Sequence, residues 1–307
     1  KVKTAKDIDE QIKAQIDKLD LSKTAIMLSG GMDSAILATY LPKGTTAYTM
    51  RSVAEGARNE VDQAQIYANL CGLNLKVVDI TWQDYLDLIP ILLKQKKAPV
   101  HSIEPLVYKC LEQAKKDGFT NVISGELADS VFGGLDGLLS KDWMYEDFIE
   151  RFMYLNPQKV LKNPKDGSSI FEKYKRGNSI DVHQVIRKVF AIDSLNSYLN
   201  PANILGVKFV APYSNMDLDG DLDIERIKNG ENKYLIRELY KMKYPNTLPN
   251  PKLPMPRAVG VWLKDWQGPT RPEFKKIDIN EFKPDQKWLM FILEDFLNRL
   301  DAGEFNE

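Results

Sequence analysis

Two short segments of this 307-residue chain combine glycine with side chains that bind phosphate or metal. The first is residues 29–34 (SGGMDS). Adjacent glycines let a ligand approach the backbone closely, and backbone amides at the start of a helix attract phosphate. The hydroxyls of Ser29 and Ser34 can donate hydrogen bonds, and Asp33 can hold Mg²⁺ on a phosphate chain. Because the segment is neither a Walker A loop nor a GxGxxG fingerprint, it predicts another type of phosphate loop, with a plain turn as the alternative.

The second segment is residues 124–134 (SGELADSVFGG). It places two carboxylates, Glu126 and Asp129, three residues apart at the start of a predicted helix, where they face the same way. One of them could bind a metal ion while the other acts as a base. Acidic residues also stabilise helix N-termini through the helix dipole, so this segment alone leaves both interpretations open.

The elements that must position these segments alternate along the first half of the chain. Apolar runs predict strands at 24–28, 45–50, 75–80 and 121–124. Stripes of apolar residues predict helices at 4–19, 34–40, 60–71, 83–95 and 105–117. Such alternation predicts βαβ units and a mostly parallel sheet flanked by helices, an α/β fold. Both segments follow predicted strands, and ligands bind at the carboxyl ends of strands in these sheets, so we expect the segments to form one site.

The second half of the chain has a different texture, which predicts a largely helical part. Its helix-like stretches are 142–155, 181–199, 231–243 and 285–300. A short apolar run at 207–212 is predicted to add a late, fifth strand to the sheet, and the density of proline over 244–256 predicts an extended loop. We therefore expect a nucleotide-binding core over 1–139 and a helical part over 140–307, packed as one compact unit.

Composition excludes several classes of protein. The 42 basic and 43 acidic residues nearly cancel, so a nucleic-acid partner is not expected. Two cysteines, Cys71 and Cys110, cannot build a disulfide framework, and two histidines cannot form a histidine-rich metal site. The longest apolar run is far shorter than the roughly 18 residues of a membrane span, and the N-terminus is unlike a signal peptide. The expectation is a cytoplasmic protein without a membrane partner.

Taken together, the segments resemble motifs of the asparagine synthetase type of the ATP pyrophosphatase (PP-loop) superfamily. Residues 29–34 resemble its pyrophosphate-binding loop, and residues 124–134 resemble its SGEGADE-x-FGG segment. Further along the chain, residues 211–218 resemble a PFLD-type segment and residues 233–237 the K-x-L-L-R motif. Residues 252–264 are similar to the K-x-G-F-x-x-P…W-L stretch. The five motifs stand in the family's order, and the resemblance implies an adenine nucleotide α-hydrolase-like fold.

The resemblance implies an ATP-dependent amide ligase that forms AMP and pyrophosphate. A substrate carboxylate would be adenylated and then transferred to ammonia or an amine. Asp33 and Asp129 would ligate Mg²⁺, Glu126 would be the acid/base group at the nucleophile, and Lys252 would steady charge on the α-phosphate and the tetrahedral centre. The residues implied to bind ATP and its pyrophosphate are Leu28, Ser29, Gly30, Gly31, Asp33, Ser34, Met50, Ser124 and Gly125.

The sequence departs from the family pattern around the expected acceptor pocket. Ser130 stands where an acidic residue is usual, Leu127 where a glycine is usual, and Asn215 in place of the aspartate of PFLD. His101 and Glu104 precede the second segment, where many relatives have other polar groups, and together with Ser130 they are our candidates for the acceptor pocket. ATP use is therefore more firmly implied than aspartate use, and aspartate with ammonia is the default pair.

Asparagine synthetases carry an N-terminal glutaminase domain, and no such segment precedes Lys1. Either that domain was removed, or a separate glutaminase chain is a partner, or the enzyme takes free ammonia or an amine. Two alternatives to the ligase stay open. One is a PP-loop enzyme that modifies a sugar or nucleobase or transfers sulfur. The other is a catalytically inactive nucleotide-binding partner of a glutaminase.

Lys252→Ala is expected to leave ATP binding near normal and to remove nearly all turnover, because the ammonium would act on charge that develops during the reaction. Preorganised charge of this kind is worth about 10²–10³ in rate. Equilibrium ATP binding and steady-state AMP release measure the two effects separately. Lys264→Ala, at the other end of the same motif, is the control and should behave as the parent. A Lys252→Ala variant that is as fast as the parent contradicts the assignment.

Overall fold

A sheet of parallel strands forms the centre of the computed structural model, which describes residues 1–251 and 255–305. Within those residues the strands are β1 (Thr24–Met27), β2 (Thr46–Ser52), β3 (Asn74–Ile80), β4 (Asn121–Ile123), β5 (Lys175–Arg176), β6 (Ser179–Ile180) and β7 (Lys208–Val210). The main sheet has five strands in the order β3-β2-β1-β4-β7, and β5 pairs with β6 in a separate antiparallel hairpin. The prediction of a five-stranded, mostly parallel α/β sheet is confirmed.

The register of the sheet brings the ends of β1, β2 and β4 together. Ile26 of β1 pairs with Ala47 of β2 on one side and with Ile123 of β4 on the other. Every residue of β1 is buried, which explains why this strand is an uninterrupted apolar run after its first residue. The late strand β7 pairs with β4 in parallel, as predicted from the apolar run at 207–212.

Helices of the first half connect these strands. They are α1 (Ala5–Ile16), α2 (Met32–Ala38), α3 (Val61–Cys71), α4 (Trp82–Lys96) and α5 (Glu104–Lys116). Capping boxes fix two of the starts, because Thr4 exchanges hydrogen bonds with Asp7, and Thr81 with Asp84. The helices predicted from apolar periodicity are confirmed, each within a few residues of its predicted bounds.

The described part of the chain after β4 is mostly helical. Its helices are α6 (Ala128–Phe132), α7 (Asp136–Leu139), α8 (Tyr145–Met153), α9 (Pro157–Val160), α10 (Val182–Val185), α11 (Ala191–Leu205), α12 (Ile224–Lys228), α13 (Tyr234–Lys243), α14 (Val259–Trp262) and α15 (Pro284–Asp301). The helix predicted at 181–199 is confirmed from Val182 onward. A π-helical turn, Ile186–Phe190, joins α10 to α11, and the helix continues to Leu205.

Helices cover both faces of the sheet. One face packs on α1, α2, α3 and α13, with Ile26 and Ile123 pointing toward them. The other face packs on α4, α5, α11 and α15, with Ala25 and Val122 on that side. Alternate residues of each buried strand therefore point toward opposite helix layers, because successive side chains in a strand point to opposite faces of the sheet.

The chain after residue 139 contributes directly to the sheet and its layers through β7, α11, α13 and α15. The division into a core over 1–139 and a helical part over 140–307 remains our proposal. Among the described residues, no helix has both the length and the apolar character that crossing a membrane requires. The described residues of the proline-rich stretch, up to Pro251 and from Met255 to Ala258, form neither helix nor strand.

Trp288→Ala should lower the free energy of unfolding by about 3–5 kcal/mol, because it empties a large buried site. The indole is 1% exposed, and its N–H donates to the carbonyl of Val100 at 3.0 Å, which anchors α15 to the segment between α4 and α5. Leu289→Ala is the matched control on the same helix, since Leu289 is 37% exposed and should cost far less. Urea unfolding measures both, and equal losses would contradict the anchoring role.

Candidate functional site

A cavity of about 380 Å³ lies where β1, β2 and β4 end. Its wall combines both predicted segments with residues from α11, from the start of α13 and from the described parts of the proline-rich stretch. Many of the predicted site residues are brought together in this wall: Leu28, Ser29, Gly31, Asp33, Ser34, Met50, Ser124, Gly125, Glu126, Asp129 and Ser130. Parallel strands end at one edge, so residues distant in sequence meet there.

The loop after β1 is closed by hydrogen bonds among its own serines. The Ser29 amide donates to Ser34 Oγ at 3.1 Å, the two hydroxyls lie 2.9 Å apart, and the Gly31 amide donates to Ser29 Oγ at 3.1 Å. Ser34 is buried. These bonds hold the loop in a fixed shape before any ligand arrives, which is the form a preorganised phosphate-binding loop requires.

Gly125 explains how the two segments come into contact. A Cβ at this position would lie 2.9 Å from the Ser34 nitrogen and 3.1 Å from Asp33 Cβ, closer than side-chain carbon atoms approach backbone. The turn after β4 therefore presses directly against the loop after β1. Gly30 has a different neighbour, since a Cβ there would lie 2.4 Å from Gln63 Cβ on α3.

Asp33 and Asp129, the two predicted Mg²⁺ ligands, are bridged by the ammonium of Lys233. Lys233 Nζ lies 2.8 and 2.7 Å from the two carboxylate oxygens of Asp33 and 2.9 Å from Asp129 Oδ1. Lys233 is only 4% exposed. Burial alone would lower the pKa of Lys233, but the charges and hydrogen bonds of the two aspartates outweigh it and raise the pKa. The side-chain amine of Lys233 is therefore protonated at neutral pH.

The donor set around Asp33 and Asp129 fits Mg²⁺ held jointly with a nucleotide. Within residues 1–251 and 255–305, no group of three or more His, Cys, Asp or Glu side chains is placed to hold a metal ion. Mg²⁺ is commonly bound by one or two carboxylates together with substrate phosphates, which matches two aspartates beside a phosphate-type loop. Gly134 leaves room for the carboxylate of Asp129 in this position, since a Cβ at residue 134 would lie 1.9 Å from Asp129 Oδ1.

Glu126 lies in the same wall but in a different environment. Its carboxylate accepts a hydrogen bond from Ser194 Oγ at 2.6 Å, and the hydroxyl of Tyr198 lies close to it. Burial raises the pKa of Glu126, and these two hydroxyls only partly oppose that effect. A carboxyl group with a raised pKa is a better proton acceptor, so the position suits general acid/base chemistry.

Sequence reasoning missed several residues of this wall. Ser194 and Tyr198 come from α11, and the only signal was their spacing of four on a predicted helix. Lys233 stood within a recognised motif but received no role. Glu60, which precedes α3, also lines the cavity, and burial raises its pKa to about 7.

Two candidates for the acceptor pocket lie elsewhere. Glu104 is fully buried and accepts hydrogen bonds from Lys96 Nζ at 2.5 Å and from Asn200 Nδ2 at 2.8 Å. His101 is exposed, and its backbone N–H donates to Glu104. Neither is among the described residues that line the cavity, whereas Ser130 is. Because Lys96 lies on α4 and Asn200 on α11, these hydrogen bonds connect both helices to Glu104 at the start of α5.

Lys252 lies outside the described residues. Asn250 and Met255, which flank residues 252–254, both line the cavity. Asn250 Nδ2 also donates to the Gly30 carbonyl at 3.1 Å, so this side of the proline-rich stretch lies against the loop after β1. The role of Lys252 stays a prediction from the sequence.

A serine- and glycine-containing loop after β1 and an acidic turn after β4 meet at one edge of this parallel sheet, where α/β domains bind their ligands. The family model described as Asparagine synthase matches residues 8–197, which is more than half of the chain. The chain therefore belongs to the asparagine synthase family. As a member, it is an ATP-dependent synthetase.

Two solved structures of synthetases are similar to this chain at low identity. An NMN synthetase from Francisella tularensis is 13% identical, with 81% of this chain and 97% of that chain covered at a TM-score of 0.30. An NH3-dependent NAD synthetase from Campylobacter jejuni, in complex with nitrate, is 13% identical, with 66% and 91% covered at a TM-score of 0.28. At these TM-scores neither likeness adds to the assignment. No curated protein sequence matches the chain.

Gly125→Ala should lower the free energy of unfolding by about 1–3 kcal/mol, because the added carbon overpacks the contact between the two loops. Nucleotide affinity should fall as well, since Ser34 and Asp33 would be displaced. Gly137→Ala is the control, because a Cβ there meets nothing within 4 Å. Urea unfolding and equilibrium ATP binding measure these effects. If Gly125→Ala matches the control in both, the close approach has no importance.

Proposed function

We propose that the chain is an amide ligase that forms AMP and pyrophosphate. It adenylates a substrate carboxylate with ATP and transfers the acyl group to ammonia or an amine. The observation that carries the proposal is one cavity wall holding both a closed phosphate-type loop and Glu126, a carboxyl group with a raised pKa. A ligase of this kind needs both features within the length of one nucleotide.

In the proposed first step, the substrate carboxylate attacks the α-phosphorus of ATP. The new bond joins the carboxylate oxygen to phosphorus, and the bond from the α-phosphorus to the bridging oxygen breaks, which releases pyrophosphate. Ser29, Gly31 and Ser34 would hold the pyrophosphate in the loop after β1. Mg²⁺ bound to Asp33 and Asp129 would supply positive charge to the phosphates. Donors fixed before the reaction stabilise the developing charge without reorganisation.

The adenosine would lie along the ends of β2 and β4. Met50 and Gly125 line the cavity at those two places, and Leu28 lines it at the end of β1. The Leu28 amide donates to the Tyr48 carbonyl at 2.8 Å, so these backbone segments are already fixed. A flat base can pack on such apolar side chains while backbone groups read its edge.

In the proposed second step, the nitrogen nucleophile attacks the carbonyl carbon of the acyl-adenylate. A carbon–nitrogen bond forms, the bond between the carbonyl carbon and the phosphate oxygen breaks to release AMP, and one proton of the nitrogen moves to the carboxylate of Glu126. The hydroxyls of Ser194 and Tyr198 hold that carboxylate in place. Burial raises the pKa of Glu126, which makes it a stronger base than an exposed glutamate.

The acceptor and the source of nitrogen are the open part of the proposal. Aspartate with ammonia is the default pair, and a separate glutaminase chain is one source of ammonia. Sulfur transfer, the alternative that needs a reactive thiol, is not favoured. Cys110 is fully buried with its pKa raised to about 12, Cys71 contacts the hydroxyl of Tyr244, and neither cysteine lines the cavity.

Phosphorus NMR tests the reaction directly. The protein is mixed with ATP, Mg²⁺, ammonium and a pool of amino acids that includes aspartate. We expect AMP and pyrophosphate to appear only when one particular acid is present. ADP with inorganic phosphate as products would contradict the proposal. ATP binding without release of pyrophosphate for any acid would support the inactive nucleotide-binding partner instead.

Glu126→Gln separates the two steps. It should retain acid-dependent exchange of pyrophosphate into ATP, while amide formation falls by about 10²–10⁴-fold, the usual contribution of a general acid/base group. Glu112→Gln on α5 is the control, because Glu112 pairs with Lys116 and does not line the cavity. Unchanged amide formation in Glu126→Gln would remove Glu126 from the mechanism.

A further inference from the structure

Lys233 combines a strained backbone with a buried charge. It caps the start of α13 with φ +50°, in the left-handed region that residues other than glycine seldom adopt. Strain of this kind persists only where the surrounding structure enforces it, and it clusters at functional sites. The side chain of Lys233 is 6% exposed and points at the cavity wall shared by Asp33 and Asp129.

The two aspartates surround the ammonium group. Lys233 Nζ donates hydrogen bonds to both carboxylate oxygens of Asp33 and forms an ion pair with Asp129 Oδ1 at 2.9 Å. The cluster thus joins two carboxylates through one ammonium. Both oxygens of Asp33 and one oxygen of Asp129 face the ammonium, and carboxylate oxygens are also the ligands that Mg²⁺ prefers.

A free divalent cation approaching these oxygens meets an ammonium already on them. The repulsion between the two cations offsets much of the attraction of the carboxylates, because charges interact strongly in a partly buried wall. Phosphate oxygens change the balance, since they add negative charge and offer the ammonium new acceptors. A metal ion that arrives with phosphates is therefore bound far better than a metal ion alone.

We propose that Lys233 is a positioning residue that makes metal binding at Asp33 and Asp129 conditional on the phosphates of the nucleotide. Without nucleotide, Lys233 holds the two carboxylates together and keeps free divalent cations out. With nucleotide, the ammonium is shared with the phosphates and the metal ion enters. This inference rests on the proposed function, in which ATP binds in this cavity.

Binding of Mn²⁺, followed by the loss of the electron paramagnetic resonance signal of the free ion, tests the proposal without turnover. The parent, Lys233→Met, Lys233→Arg and Lys243→Met are titrated with and without α,β-methylene-ATP, and protein-free mixtures give the reference for the analogue. Lys243→Met is the matched control. Lys243 lies on the same helix and pairs with Asp9 at 2.6 Å, away from the cavity.

We expect the parent to bind Mn²⁺ at least about tenfold more tightly with the analogue than without it. Lys233→Met should bind Mn²⁺ without the analogue at least about tenfold more tightly than the parent does, because the competing charge is gone. Lys233→Arg retains the charge and should resemble the parent, as should Lys243→Met. Tight uptake of Mn²⁺ by the parent alone, or equal uptake by the parent and Lys233→Met, would overturn the proposal.

A second measurement distinguishes this proposal from the proposed function. Calorimetric titration of the parent with the analogue and Mg²⁺ shows whether a nucleotide binds at all. No binding there contradicts the proposed function, whereas binding combined with tight uptake of Mn²⁺ alone contradicts only the role of Lys233. If Lys233→Met loses its native circular dichroism, the parent and Lys233→Arg still decide, since both must exclude Mn²⁺ without nucleotide.

Discussion

The ion-paired cluster at Asp33 is the interaction on which the rest of the site depends. The carboxylate of Asp33 binds Lys233 at the start of α13. The backbone carbonyl of Asp33 accepts a hydrogen bond at 3.0 Å from the hydroxyl of Tyr213, which lies just after β7. Gly125, after β4, presses on the same residue. The segments that follow β1, β4 and β7 are thereby held against one another and against the start of α13. Removing one partner of a buried charge cluster leaves the other charges uncompensated and destabilises the fold, so these three segments depend on the same cluster.

The fold places Glu126 and Asp129, two carboxylates three residues apart, in different surroundings. Asp129 faces the ammonium of Lys233, which suits a carboxylate that holds a metal ion together with phosphates. Glu126 faces the hydroxyls of Ser194 and Tyr198, and burial raises its pKa, which suits a group that takes up a proton. Neighbouring acids in such different environments are how one site divides charge stabilisation from proton transfer. The sequence spacing alone is the same for both roles.

The sequence predicted what depends on local patterns. Strands and helices followed from apolar periodicity, and the turns at 29–34 and 124–134 followed from glycine next to polar residues. It did not predict that Glu104 is a buried partner of Lys96 and Asn200, because burial depends on helices that are distant in sequence. Nor did it predict Tyr198, which lies on a helix 72 positions after Glu126 and becomes its partner only through the packing of α11.

The order of elements and the two glycine-containing turns followed from the sequence alone, since each depends on a pattern within a few residues, and the alternation of strands and helices implied a parallel sheet. Only the tertiary structure decided the partners of those loops. Lys233 lies 200 positions after Asp33, and its ammonium reaches both aspartates because α13 packs beside α2 on one face of the sheet. Charges in a site act over a few ångströms, and that distance is set by packing rather than by position along the chain.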